Sequence, residues 1–524
     1  MAAITKPKPE SIANLSDEEL GLMEKKMVRK VDMVTTLTIG NAGQSSAFYV
    51  DRSGLAATHV YGITDDLKMS ETDFATAISI LFVSYIPMQF PSNILVSRIP
   101  RPGLYICLMA IIWGAVSACT AAVKTKEQLY AVRVVLGIAE AAYFPGALYF
   151  LSAWYKKDEL AKRIGGVFMF QALGQALGGF IAAACLTLEG KHGIAGWRWL
   201  FIVEGVVTVG LGLMFALVMP EFPHNARLLT PDQRDLAVWR LENERGATEV
   251  HEESSAWDGL KAAVSDKKLW LIVWCGGMGQ AMGSVFNFFP SIIASLGYPK
   301  YESLLLTVPP YIVAMIGYYI CSFLSDRYNK IYLIIIINLM ASAPVYILGM
   351  NAPNTGSRYF AMCLMPVVSA PSHSLYLHTA SPKTTPHTLF ANSSYLFLLP
   401  MVPLLTLPLQ LAVAPQVMLY KTNGLHMARP ATKRALGMAL INGLGGISNV
   451  WTSYLWKGGP QYYMAFGTLL GCAMVFLGSV TGYKFWVRRL NKKLAGTSEQ
   501  QADVMRKHHV SQEQVDMGWR YEGY

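Results

Sequence analysis

Apolar runs of about twenty residues recur along the whole chain, separated by short polar connections. A helix needs roughly 20 mostly apolar residues to cross the hydrocarbon core of a bilayer. Only helices or closed barrels satisfy their backbone hydrogen bonds there. Runs at 74–96, 103–123, 129–154, 165–188 and 197–219 precede a polar stretch, 220–268. Runs at 269–296, 304–324, 331–350, 359–377, 435–456 and 463–486 follow it. Of the 524 residues, 53% are hydrophobic and 15% charged, where a soluble domain carries about 25% charged residues. The sequence predicts an all-α polytopic membrane protein.

Five runs before the polar stretch and six after it leave the count uneven. The segment 31–50, VDMVTTLTIGNAGQSSAFYV, stands where a further helix would even it, although it is rich in Thr, Ser, Asn and Gln. Loop charge decides the parity. Lys25, Lys26, Arg29 and Lys30 precede this segment. Arg98 with Arg101, then Lys156, Lys157, Lys162 and Arg163, then Arg327 with Lys330 follow in alternate connections. Arg429, Lys433, Arg434, Arg488, Arg489, Lys492 and Lys493 complete the series. The connection 63–73 is acidic instead. Basic loops stay in the cytoplasm, so both termini are expected there, and 31–50 must cross once. The expected layout is a tail at 1–30, a six-helix bundle at 31–219, a central loop at 220–268, a second six-helix bundle at 269–486 and a tail at 487–524. Within the loop, Thr230 and Pro231 open a helix as cap and first residue. The stretch 372–415 is surplus to one span and carries Pro400, Pro403 and Pro408. It reads as an insertion, with a re-entrant hairpin as the alternative.

The net charge of +10 is thus loop charge, not a basic face, which argues against nucleic acid. None of the seven cysteines forms a C-x-x-C pair, so no metal site or disulfide framework is expected. The N-terminus lacks the apolar core of a cleavable signal peptide. No nucleophile–base or metal-ligand spacing is present; neither enzyme activity nor a cofactor is expected.

Two opposite charges, Arg133 and Glu140, share the run 129–154. Seven residues place them on one helical face about two turns apart, with Gly137 between. Ionisable residues at membrane depth face the bundle interior and mark substrate or proton paths; the alternative is a structural ion pair between helices. Pro145-Gly146 should loosen this helix. Gln171 with Gln175, and Gln280 with Asn287, have same-face spacing for hydrogen bonds to substrate or to another helix. Gln89 and Asn93, and Asn442 and Asn449, are further amides at membrane depth that could bond substrate or another helix. Glu204 is a further buried acid, with Arg198 or a neighbouring helix as its expected partner. Glycine-rich 174–179 and 443–446 suit close helix approach, not phosphate binding.

The pattern R-x6-E-x4-P-G followed by SAWYKKDELAKR resembles the fourth-helix signature of the anion:cation symporter branch of the major facilitator superfamily, in particular fungal allantoate- and nicotinate-permease-like transporters. TDFATAISILFVSYIPMQFPSNIL is similar to the second helix, GWRWLFIVEGVVTVGLG to the sixth, PEFPHNARLLTPDQRDLAVWRL to the central loop and ATKRALGMALINGLGGI to the eleventh. The resemblance covers nearly all of 65–493 outside 372–415. It implies two six-helix bundles with a midplane site and rocking access, the arrangement for which this superfamily is the type example. It implies proton-coupled uptake of a small organic anion (a carboxylate, vitamin or ureide), by a monomer in the plasma membrane. Its partners would be that anion, protons and the lipid bilayer. Arg133 would attract the carboxylate and Glu140 would carry the proton. Asp51-Arg52 would end the first helix, with Arg52 a further anion contact. Asp326-Arg327 in FLSDRYNK would form a cytoplasmic gate, whereas the first-half counterpart SRIPRPGLY lacks the acid. Export, or a non-transporting sensor on the same scaffold, are the alternatives.

Overall fold

Caps and prolines set the ends of the helices in the computed structural model, which describes residues 8–35, 44–99, 101–219, 222–246, 261, 264–265, 267–317, 331–368, 440, 443–457, 459 and 461–508. Both 372–415 and Asp326-Arg327 lie outside the described residues. A short helix, α1 (Glu10–Ala13), and a longer one, α2 (Asp17–Thr35), precede α3 (Gln44–Tyr61), α4 (Glu71–Arg98), α5 (Pro102–Cys119) and α6 (Lys126–Glu140). Then come α7 (Tyr143–Trp154), α8 (Lys157–Leu186), α9 (Gly196–Val218) and α10 (Pro231–Gly246). After these lie α11 (Lys267–Gly283), α12 (Phe289–Ala294), α13 (Lys300–Leu305), α14 (Ile331–Asn351), α15 (Thr355–Val368), α16 (Ser448–Thr452), α17 (Tyr463–Leu494) and α18 (Ser498–His508). Among the described residues, four helical stretches are long and apolar enough to cross a membrane by themselves: Pro102–Ala122, Gly196–Val218, Leu269–Ala294 and Tyr463–Leu494.

The first helix of the bundle corrects the sequence reading. Asp51-Arg52 does not end a helix over 31–50 but sits inside α3, which runs on to Tyr61. The reason is burial. Asp51, Thr58 and Ser53 of α3 are enclosed by protein, so this helix need not be apolar all round. The run 129–154 is likewise not one helix; α6 stops at Glu140 and α7 starts at Tyr143. Pro145 has no N–H for the Ala141 carbonyl, and its ring collides with that carbonyl in a continuous helix. The break therefore precedes the proline by one turn.

The chain forms two compact units. The first comprises the described residues through 246 together with Phe289–Met315. At its centre α5 and α9 meet at backbone contact: a Cβ on Gly205 would stand 2.5 Å from the Gly114 carbonyl oxygen, and one on Gly114 3.0 Å from that of Gly205. Small residues permit such approach between membrane helices. A neighbouring face of α9 exposes Val206, Leu213 and Leu217, the apolar-outward arrangement a lipid environment requires. Gly178 of α8 packs on Ser53 of α3, and Gly179 on Thr307. Ser291 of α12 donates to the Ala56 carbonyl at 3.4 Å. The second unit holds α11, α14, α15 and α16 to α18. Tyr346 stacks on Phe466, and Trp456 lies edge-on to Phe466 at 5.6 Å between ring centres.

At the head of α4, ahead of its apolar run, Ser70 Oγ accepts the Asp73 N–H at 3.1 Å while Asp73 Oδ2 accepts the Ser70 N–H at 3.0 Å. Lys126 Nζ reaches the same carboxylate at 3.1 Å. The Ser70 backbone and hydroxyl bonds, then Lys126, hold the Asp73 carboxyl below the usual carboxylate range. A depressed folded pKa stabilises above the unfolded value, about 4 for an aspartate, and that contribution fades as pH falls below it.

Three variants test this packing and capping. S70A should lower stability by about 1 kcal/mol, read as a reduced thermal midpoint in detergent at pH 7, and D73N should flatten the loss of stability on its acid side. G205V should sharply reduce the yield of monodisperse protein, because overpacking at a backbone contact costs roughly 1–3 kcal/mol or more.

Candidate functional site

Three helices of the first unit, α3, α6 and α9, bring charge into its interior. Seven residues do put Arg133 and Glu140 on one face of α6, and both are buried, at 3% and 0% exposure. Two turns apart, they do not pair with each other; the ion pair here is one between helices. Glu140 Oε2 instead accepts from Arg52 Nε of α3 at 3.0 Å. The Arg52 guanidinium lies 4.6 Å from the centre of the Tyr85 ring and 5.4 Å from that of Phe82, both on α4. Gly137 makes this possible, since a Cβ there would strike Ser84 and the Leu81 carbonyl and push α6 off α4.

Two further acids complete the cluster. Asp51 of α3 accepts a hydrogen bond from Ser117 of α5. Glu204 of α9 faces Gly54 of α3 so closely that a Cβ there would lie 2.5 Å from Oε2. Asp51 and Glu204 are 1% and 4% exposed. Arg133 packs over Phe201 at 5.9 Å and lies within electrostatic reach of Asp51, Glu140 and Glu204. Several atoms have no protein hydrogen-bond partner: Arg133 Nε and Nη2, Glu140 Oε1, Asp51 Oδ2 and both Glu204 oxygens. Buried polar groups are normally satisfied, so these mark a place where a ligand or a proton can be received.

The expected partner of Glu204, Arg198, is engaged elsewhere: it donates to the Ala121 carbonyl and lies over the Trp197 ring at 4.3 Å. Sequence reasoning thus found Arg133, Glu140 and Arg52 but missed that Asp51 and Glu204 belong with them. The available signal was the imbalance of three intramembrane acids against two arginines, with Gly54 and Gly205 marking where helices approach.

The amides divide by unit. Gln171 and Gln175 are half-buried on the α8 face that continues to Gly178 and Ser53. In the second unit Asn287 Nδ2 donates to Asn449 Oδ1 and Asn449 Nδ2 to Gln280 Oε1, each at 3.4 Å. Asn287 lies in a 3-10 turn, Ser284–Phe288, after α11 ends. Asn449, not one continuous helical face, therefore links it to Gln280. Gly445 leaves room for the Gln280 amide, which a Cβ would meet at 2.6 Å. Asn442 is outside the described residues. No group of three metal-ligating side chains is found among the described residues.

Removing one partner of a buried ion pair costs about 3–5 kcal/mol, because the other charge is stranded. R52A should therefore lower the thermal midpoint strongly, and R52A/E140A should recover part of that loss.

A family model described as Major Facilitator Superfamily matches residues 44–399. The MFS transporter prlL of a Fungal sp. strain is 33% identical over 291 residues, 54% of this chain and 58% of that protein. The chain thus spans little more than half the length of that relative. The high-affinity nicotinic acid transporter of Saccharomyces cerevisiae is 26% identical over 359 residues, 68% of this chain and 66% of that protein. The crystal structure of a D-xylose-proton symporter shares the fold, with a TM-score of 0.57 at 13% identity over 86% of this chain and 97% of that one.

Proposed function

Because the chain belongs to the Major Facilitator Superfamily, we propose that it is a secondary-active transporter taking up a small organic anion together with a proton. The observation that carries this is the charge count of the buried cluster. Among the described residues, the buried Asp51, Glu140 and Glu204 are three acids, and the buried Arg133 and the partly exposed Arg52 are two bases. Fully ionised, the five leave one negative charge in excess. An uncompensated charge away from water is costly, so a resident proton balances the empty site. An entering carboxylate adds a second negative charge and favours a second proton. Anion and proton then move together because the interior cannot hold one without the other.

Within this reading the roles follow from the contacts. Arg133 offers Nε and Nη2, two donors of the fork that matches a carboxylate. Glu140 has one oxygen held by Arg52 and the other without a partner, which suits a group that takes and releases a proton. Arg52 balances Glu140 when it is ionised and becomes available to the anion when it is not. Gln171, Gln175, Gln280 and Asn287 would hydrogen-bond neutral parts of the substrate. Asp326 and Arg327 would gate the path, as the family resemblance suggests. The nicotinic acid transporter among the relatives supports a ring or vitamin carboxylate as the cargo. The plasma membrane, a monomer, two six-helix bundles at 31–219 and 269–486, and cytoplasmic termini belong to the same proposal.

The test uses nicotinate uptake into proteoliposomes under an inward proton gradient. E140Q should lose most gradient-driven accumulation, at least tenfold, while keeping nicotinate counterflow. Full accumulation by E140Q would overturn the coupling role. R133Q should raise the KM for nicotinate at least tenfold, and an unchanged KM would remove Arg133 from anion binding.

A further inference from the structure

The N-terminal helices do not form a free tail. Ile12 and Leu20 pack with Leu236 of α10, and Leu15, Met23 and Trp239 border this seam. Ser11 Oγ donates to Asp235 Oδ2 at 2.6 Å, and Lys30 Nζ to Gln233 Oε1 at 3.4 Å. At the other end of α2, the hydroxyls of Thr35 and Tyr155 hydrogen-bond at 2.6 Å.

One side chain ties these parts together. Arg240 of α10 is 3% exposed. Its Nη1 donates to Glu24 of α2 at 3.2 Å and to Glu159 of α8 at 3.0 Å. Its Nη2 donates to the Trp154 carbonyl, the last residue of α7, at 2.8 Å. Lys156 Nζ joins at 2.6 Å from Glu24. Glu159 also accepts the Lys156 N–H at 3.2 Å, capping α8. Two acids thus meet two bases. Burial pushes the Glu24 carboxyl up, but Lys156 and Arg240 more than offset this and hold it below the usual range.

The place of this hub in the chain gives it meaning. α7 begins three residues after Glu140, beyond the Ala141–Ala142 break, and its 12 residues span about 18 Å at 1.5 Å per residue. It is a short rod with the coupling carboxylate at one end and Arg240 at the other. α8, which starts at the same hub, carries Gln171 and Gln175. Ala141 and Ala142 keep helical dihedrals between the two helices, so the stance of α7 at the hub bears on Glu140 at its other end.

We infer that Arg240 is a positioning residue for transport: with Glu24 as the contribution of the N-terminal helix, it fixes the α7–α8 turn and so the placement of the site residues those helices border. A single planar fork reaching two carboxylates and a carbonyl cannot be replaced by lysine, which lacks that geometry. The inference rests on the transport reading for its functional half, while its structural half stands alone.

Nicotinate uptake separates the two. R240Q should lower the maximal rate at least tenfold with KM within twofold of wild type, R240K should not restore it, and E24Q should fall between. E24Q/R240Q should be no slower than R240Q, because the two act through one contact. A wild-type rate in R240Q, or losses that simply multiply in the double variant, would overturn the inference. Amide hydrogen exchange tests the structural half without any substrate. R240Q, or E24Q if R240Q does not fold, should lose protection at least tenfold in both 17–35 and 231–246. Unchanged exchange in α2 would overturn it even if wild type moves no nicotinate, whereas a protected, well-folded wild type that moves no carboxylate would contradict only the transport reading.

Discussion

The contact between Arg52 and Glu140, 3.0 Å long, is the one on which the rest of the first unit depends. It joins α3 to α6 inside an apolar bundle, where water cannot stand in for a missing partner. α3 tolerates its polarity only because its charged side faces protein. Gly137 has no side chain because α6 must come close to α4. Gly54 is small because Glu204 occupies the space in front of it. Each of these is a consequence of placing five ionisable groups in one low-dielectric volume, where interactions are strong and an unmatched charge is expensive.

A cluster balanced this narrowly needs its helices held in register. The break before Pro145 puts only Ala141 and Ala142, both with helical dihedrals, between Glu140 and α7, so the stance of α7 bears on the geometry of the site. The ion network around Arg240 sits at the far end of α7, where a small angular change in the rod displaces the helix ends most. The N-terminal segment supplies a carboxylate to that network as well as an apolar seam. Among the described residues the first unit thus has two ionic centres of different character. One is oversupplied with acid; the other matches two acids with two bases and has its guanidinium bonded on Nη1 and Nη2, with Nε unpartnered.

Much of this was legible in the sequence and some was not. Helix number and the position of Arg133 and Glu140 on one face follow from run length and from 3.6 residues per turn, both local properties. The Thr230-Pro231 start of α10 follows from capping chemistry and is present as read. Helix one was misplaced by about three turns because hydropathy rewards apolar residues, whereas α3 is a polar helix shielded by its neighbours. The break at Ala141–Ala142 was expected at Pro145-Gly146; the steric effect of a proline acts on the turn before it. The partners of Glu140 and Glu204 were not legible at all. Pairing across α3, α6 and α9 joins residues far apart in sequence, and no spacing rule encodes it.

The central claim is that charge balance in the buried cluster obliges anion and proton to travel together. Simultaneous measurement of nicotinate and proton entry into proteoliposomes holding the wild-type protein tests it most directly. The account predicts one proton with each monocarboxylate, at a rate indifferent to membrane potential. Nicotinate entry with no accompanying proton, driven equally well with the pH gradient collapsed, would contradict it.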